Sequence, residues 1–451
     1  MSRRRRVPLV LAAVLAAVVV LPVQVASAAG QRGDYVTIKG AAGPGPARYD
    51  RAYVEKWGPK RARRVLVLVP GFLGGSGDFS EIAQDIVRRV PDLQVWAIDR
   101  RSQAFEDTSI FATERADDAF AYYLNFRPIG GRSFKPVDAK DVPFVKQWGL
   151  KLALEDIRRV VLKARAGGRT VILGGHSLGA SLTGAYASWD FDGRPGYRDV
   201  AGLVLIDGGL GASGDGPTAE EVGRRLAAVE TAPFSDLLGL GIPWAAGVFA
   251  EVGALYARTA PDARSPVQDF ALLPAAFKPA FPATNEGLFG YVFDKDTSPP
   301  NLSLIRIRGG SLAPVGDPRP WQDGDITPVQ RLARIFAREP GNGAEWYFPA
   351  RLGVDVAAAS PLKRTAVTDS LGLRPWRLAK VDRPLYAFQT DLSEGRVLQG
   401  ARAFIARSKV PRRRSVLVDR SSSTSHFDPL VAAPARNDFL KTVVPFLRRV
   451  R

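Results

Sequence analysis

The chain has 451 residues, 46% of them hydrophobic and 24% charged, a balance able to bury one large domain with an insertion, or two domains. It contains no cysteine, which excludes disulfides, a Cys-ligated zinc, a cysteine nucleophile and a signal peptide that is lipid-anchored at its cleavage point. The net charge of +18 comes from Arg3 to Arg6 and from scattered basic residues, with short clusters at 60–64 and 412–414. A solvated basic surface drawn to an anionic cell envelope is therefore expected, and nucleic-acid binding is not.

The chain opens on Arg3 to Arg6, an apolar run from Val7 to Leu21, and Ala26-Ser27-Ala28. That order predicts a secretory signal peptide cut after Ala28 and a secreted, extracellular protein. Its removal leaves a net charge of +14. The segment Asp34 to Trp57 predicts one or two antiparallel edge strands. Arg64 to Pro70 carries the run VLVLV and ends on Pro-Gly, as a parallel strand covered on both faces would. Helical spacing follows over Asp78 to Arg89, a strand over Leu93 to Asp99, a helix over Phe144 to Ala166 and a strand over Thr170 to His176. A helix of small residues spans Ser177 to Ser188, and Ala201 to Asp207 predicts a fourth buried strand. After a long interval come a strand at Pro384 to Thr390, a helix at Val397 to Arg407, a strand at Arg414 to Asp419 and a helix at Asn437 to Arg449.

This alternation predicts an α/β fold with a doubly wound, mostly parallel sheet. The interval from Gly208 to Val381 exceeds any ordinary crossover. It holds helical spacing at Thr218 to Glu230 and Thr327 to Arg338 and is rich in Pro, Gly and aromatics, among them Trp244, Phe249, Phe270, Phe277, Phe281, Phe289, Tyr291 and Phe293. A mainly helical cap over 211–380 is expected, inserted into a core of 29–210 and 381–451.

The sequence GGHSLGAS, 174–181, joins the third strong strand to a helix. Gly175 and Gly179 flank Ser177 in a Gly-x-Ser-x-Gly elbow, where a tight turn needs small neighbours and the helix N-terminus points free N–H groups at the serine. Ser177 reads as a nucleophile, and a serine hydroxyl needs a base. The chain has two histidines. The side chain of His176 diverges from that of Ser177 in a sharp elbow, so the base is expected to be His426, in the polar loop 421–428 after the last strand. The acid that orients His426 is sought at strand ends after the serine. Asp391 is favoured, being one strand from the histidine loop, with Asp207 the alternative and Glu394 a weaker third choice. Asp428 stands too close to His426 in sequence to orient it. Backbone N–H groups of Phe72, in the loop 70–76, and of Leu178 are the expected oxyanion donors. The loop lacks the Gly-Lys-Ser/Thr of a phosphate cradle.

With these residues the chain resembles the α/β-hydrolase superfamily, including its secreted lipase- and esterase-like members, over about 60–210 and 382–451. The resemblance implies Ser177 as nucleophile, His426 as base, Asp391 as acid, and Phe72 and Leu178 as the oxyanion hole, with Pro70-Gly71 where the family has His-Gly. Asp99-Arg100-Arg101 after the second strand also looks like family members. The expected activity is hydrolysis of small-molecule or lipid esters, without cofactor or metal. A peptidase of the same fold, gripping an amine through Glu220-Glu221, and a non-catalytic envelope-binding protein are the alternatives.

Overall fold

The computed structural model describes residues 33–209, 216–324 and 326–450. The expected signal peptide, 1–28, lies outside the described residues. The strands in chain order are β1 (Asp34–Lys39), β2 (Arg51–Trp57), β3 (Arg64–Val69), β4 (Leu93–Asp99), β5 (Thr170–His176), β6 (Gly202–Ile206), β7 (Leu385–Gln389) and β8 (Val416–Asp419). They form one sheet in the order β1-β2-β4-β3-β5-β6-β7-β8. Only the β1–β2 and β2–β4 pairings are antiparallel; β4 through β8 run parallel. The fold class and the antiparallel edge are those the sequence pattern predicts.

Strands β3 to β6 are buried along almost their whole length, as unbroken apolar runs require when helices cover both faces. The helices are α1 (Ser80–Arg89), α2 (Leu150–Arg165), α3 (Leu178–Ser188), α4 (Ala219–Thr231), α5 (Ala245–Thr259), α6 (Asn285–Phe293), α7 (Val329–Phe336), α8 (Ala350–Ala359), α9 (Arg396–Ala406) and α10 (Asp438–Arg449). Alternate residues of each strand feed opposite layers. Ile172, Val204 and Phe388 join α1 and α10 on one face, whereas Leu173, Leu205 and Ala387 join α2, α3 and α9 on the other.

Helix α2 starts later than the spacing predicts. Pro143–Gln147 forms a tighter 3₁₀ turn, and Gly149 precedes the helix in extended conformation. The carboxylate of Asp355, from α8, accepts the Leu150 N–H at 3.0 Å and supplies the cap that the local sequence lacks.

The described residues between β6 and β7 are mainly helical, from α4 to α8, with one short hairpin pairing Gly310–Leu312 with Trp321–Asp323. They contribute to both apolar layers: α5, α6 and α7 to the first, α4 and α8 to the second. Helix α7 is clamped onto α1 by ion pairs, from Arg331 to Glu81 (2.8 Å) and Asp85 (2.7 Å), and from Arg334 to Glu81 (2.7 Å). A second excursion, 101–149, forms short turns around a distorted helical run at 116–124. Its aromatics meet the insertion: Phe134 lies 5.1 Å from Trp244, and Tyr123 lies 5.7 Å from Trp346.

Candidate active site

Ser177 occupies the turn between β5 and α3 with φ 55° and ψ −120°, a conformation a non-glycine residue holds only when its surroundings impose it. Its N–H donates to the Ile206 carbonyl at 2.8 Å, tying the elbow to β6. The flanking glycines are dictated by backbone proximity. A Cβ on Gly175 would lie 2.2 Å from the Gly179 carbonyl carbon, and one on Gly179 would lie 1.9 Å from the Val69 carbonyl oxygen. Gly208, which the motif does not include, is packed as closely: its Cβ would lie 2.0 Å from the Ser177 carbonyl oxygen. The Ser177 side chain is part-exposed at the head of α3, where the Leu178 N–H has no intrahelical acceptor.

His426 and Ser177 line the same cavity. His426 is 1% exposed, and its Nε2 has no hydrogen-bond partner. Its Nδ1 lies 2.5 Å from Asp207 Oδ2. Asp207 also accepts from the Thr390 N–H (2.8 Å) and from the Thr390 hydroxyl. Burial raises the Asp207 pKa, but the hydrogen bond and charge of His426 and the two bonds from Thr390 outweigh it, so the carboxyl is held below its ordinary value.

The carboxylate beside His426 is thus Asp207, and the preference for Asp391 is corrected. Asp391 turns to the histidine loop's backbone side: its Oδ2 accepts from the Ser425 hydroxyl at 2.8 Å, its N–H donates to the Thr424 carbonyl at 3.0 Å, and Arg308 lies 3.8 Å away. Glu394 sits in an exposed turn paired with Arg396. Asp428 binds the Ser425 N–H, the Arg308 N–H and the Thr327 hydroxyl, not the imidazole.

The reason lies in the other histidine. His176 Nε2 is 2.9 Å from the His426 carbonyl, and the two rings are 4.4 Å apart. This bond anchors the loop over the end of β5, which sets the His426 ring against the residue that follows β6. Burial, and next the proximity of His426, push the His176 pKa down to about 3, so its ring stays neutral and its Nε2–H donates to the carbonyl.

The loop after β3 folds back over the serine. A Cβ on Gly71 would come within 3.2 Å of Ser177 Cβ, and Phe72 lines the cavity. Arg100, just past β4, holds this loop: its guanidinium donates to the carbonyls of Pro70 (2.6 Å), Gly71 (2.8 Å) and Gly74 (3.2 Å). Glu345 of the insertion pairs with Arg100 at 2.6 Å, accepts from the Ser102 hydroxyl and donates its N–H to the Leu73 carbonyl. Asp99 binds the Ser76 N–H and hydroxyl and the Tyr35 hydroxyl. Arg101 pairs with Asp156 and Asp50. Asp99 and Arg100 therefore position the loop, a role their place at a strand end could have suggested.

The cavity over Ser177 is bordered by Leu237, Ala246, Ala250, Ile305 and Phe336 of the insertion and by Phe427. Asp78 also lines it; burial and the neighbouring Asp99 push its carboxyl well above the usual carboxylate range. Glu220 and Glu221 do not line it. Glu220 pairs with Arg224, and Glu221 closes the capping box of α4 with Thr218. Among the described residues no group of His, Asp and Glu could hold a metal ion.

A serine elbow between β5 and α3, a donor loop after β3, and a carboxylate and a histidine from later strand ends together decide the architecture. The chain has the α/β-hydrolase fold. No family model matches the chain, and no curated protein matches it. Solved structures do: a candidate lipase from Sulfolobus solfataricus (16% identity, 92% of this chain and 94% of that one, TM-score 0.49), an epoxide hydrolase from Vigna radiata (13%, 92% and 98%, 0.43) and a thermophilic esterase from Thermogutta terrifontis (15%, 93% and 99%, 0.38).

Proposed function

We propose that the protein is a serine hydrolase of carboxylic esters, in which Ser177 is the nucleophile, His426 the general base and Asp207 the residue that orients it. The observation that carries this reading is the Asp207–His426 pair at 2.5 Å, in which the imidazole Nε2 is left without a partner while His426 and Ser177 line one cavity.

As Ser177 Oγ attacks the ester carbonyl carbon, its proton passes to His426 Nε2, and Asp207 stabilises the resulting imidazolium. The carbonyl oxygen becomes an oxyanion, accepting from the N–H groups of Phe72 and Leu178. Collapse breaks the bond to the leaving oxygen, which takes the proton from His426 and departs as an alcohol. Water then gives a proton to His426 and attacks the acyl-enzyme, releasing the acid and restoring Ser177. His176 takes no proton in this cycle; it holds the His426 backbone.

Esters are favoured over amides because Glu220 and Glu221 are committed elsewhere, and Glu345, the carboxylate that the insertion adds to the cavity lining, is paired with Arg100. A panel of p-nitrophenyl acyl esters against aminoacyl amides tests this. Ester turnover that disappears in Ser177→Ala is expected; faster turnover of the amides would overturn it. We also propose that residues 1–28 direct export. Mass spectrometry of protein recovered from the medium should find Ala29 at its N-terminus, and an intact Met1 would contradict cleavage.

A further inference from the structure

A second chamber borders the catalytic cavity and shares Leu237, Ala246, Ala250 and Ile305 with it. Most of the insertion's aromatics do not face Ser177. Phe249, Phe277, Phe289 and Phe293 line this chamber instead. Helix α5 supplies one wall through Ala246, Phe249, Ala250 and Gly253, an i, i+3, i+4, i+7 face turned to open space, while its other side packs on α7. An apolar lining beside a nucleophile suits an acyl chain.

Two side chains in the lining are polar, Ser265 and Asn285, and both line only this chamber. Asn285 is 3% exposed. Its Nδ2 donates to the Ala260 carbonyl at 2.8 Å, which fixes the orientation of the amide, and its Oδ1 is buried with no hydrogen-bond partner. A buried acceptor left unpaired is rare in a folded protein and calls for a donor.

We propose that this chamber is the acyl-chain site and that Asn285 Oδ1 accepts a hydrogen bond from a hydroxyl carried on the chain, so that the substrates are esters of hydroxylated acyl groups. The direction of the chain rests on the ester-hydrolase reading; occupancy of the chamber does not.

Binding to the Ser177→Ala protein, measured by calorimetry, separates the two. The probes are methyl decanoate and methyl hydroxydecanoates with the hydroxyl at successive carbons. At least one isomer should bind about fivefold to tenfold tighter than methyl decanoate, and that preference should vanish when Asn285→Leu is added. Gly253→Leu gives a second variant. A Cβ there meets only Phe289, at 3.4 Å, so the fold tolerates it, and it fills the chamber. It should weaken every decanoate about tenfold. Equal affinity for all probes, a hydroxyl preference that survives Asn285→Leu, or no effect of Gly253→Leu would overturn the inference. Binding as expected, with no ester turned over by the unmutated protein, would leave the chamber standing and remove the ester-hydrolase reading.

Discussion

Asp207 follows β6 and Asp391 follows β7, and only the first meets an imidazole. Both stand after the serine and before the histidine, at the ends of adjacent parallel strands, and nearness to the histidine loop in strand order, which favoured Asp391, picks the wrong one. The choice is made by a hydrogen bond between residues 250 apart, His176 Nε2 to the His426 carbonyl. On the proposed mechanism Asp207→Asn should lower kcat on a p-nitrophenyl ester about 10³- to 10⁴-fold. Asp391→Asn keeps an acceptor for Ser425 and should stay within about threefold. Comparable losses in both would mean that Asp391 does more than hold the loop. His176 makes a separate prediction, for stability. Its pKa falls from 6.5 to about 3 on folding, so at intermediate pH the unfolded chain binds a proton that the folded one refuses. The stability it contributes is complete above pH 6.5 and is lost as pH falls from there toward about 3. In His176→Gln, denaturant unfolding should depend less on pH across that window; an unchanged slope would show that His176 is not buried neutral.

At the scale of elements, the strands were legible because parallel strands buried on both faces read as unbroken apolar runs, and β3 to β7 keep their expected bounds within a residue. The late start of α2 was not legible, because the group that caps it, Asp355, lies 205 residues away. The aromatics of the excursion 101–149 pack against the insertion, a long-range contact that no local spacing encodes. The elbow was legible as a motif, and close contact explains it: Gly179→Ala would force a Cβ to 1.9 Å from the Val69 carbonyl. That variant should be poorly soluble or should lose more than about 10²-fold in activity; full activity would mean that the elbow relaxes. The donor loop depends on Arg100. Arg100→Met strips three loop carbonyls of their partner and leaves Glu345 buried without its cation. A cost of about 3–5 kcal/mol in urea unfolding is expected, with a fall in kcat. Stability and kcat both unchanged would remove Arg100 from the positioning of the loop.

For the whole molecule, composition placed the chain among globular proteins, and the spacing of elements located the long insertion between β6 and β7. What composition could not convey is how the insertion is shared between both apolar layers, with α7 clamped to α1 by charge while α5 and α6 border an open chamber. Four of its aromatics, Phe249, Phe277, Phe289 and Phe293, line that chamber rather than the catalytic cavity. The site assembles residues from four separate strand ends; the Gly-x-Ser-x-Gly motif pointed to Ser177, and the count of two histidines pointed to His426. The most direct test of the proposed chemistry is labelling by a fluorophosphonate, read by mass spectrometry of the intact, folded protein. One adduct on Ser177 is expected, abolished in Ser177→Ala and His426→Ala and strongly slowed in Asp207→Asn. No adduct on folded protein, or an adduct that persists without His426, would contradict the assignment.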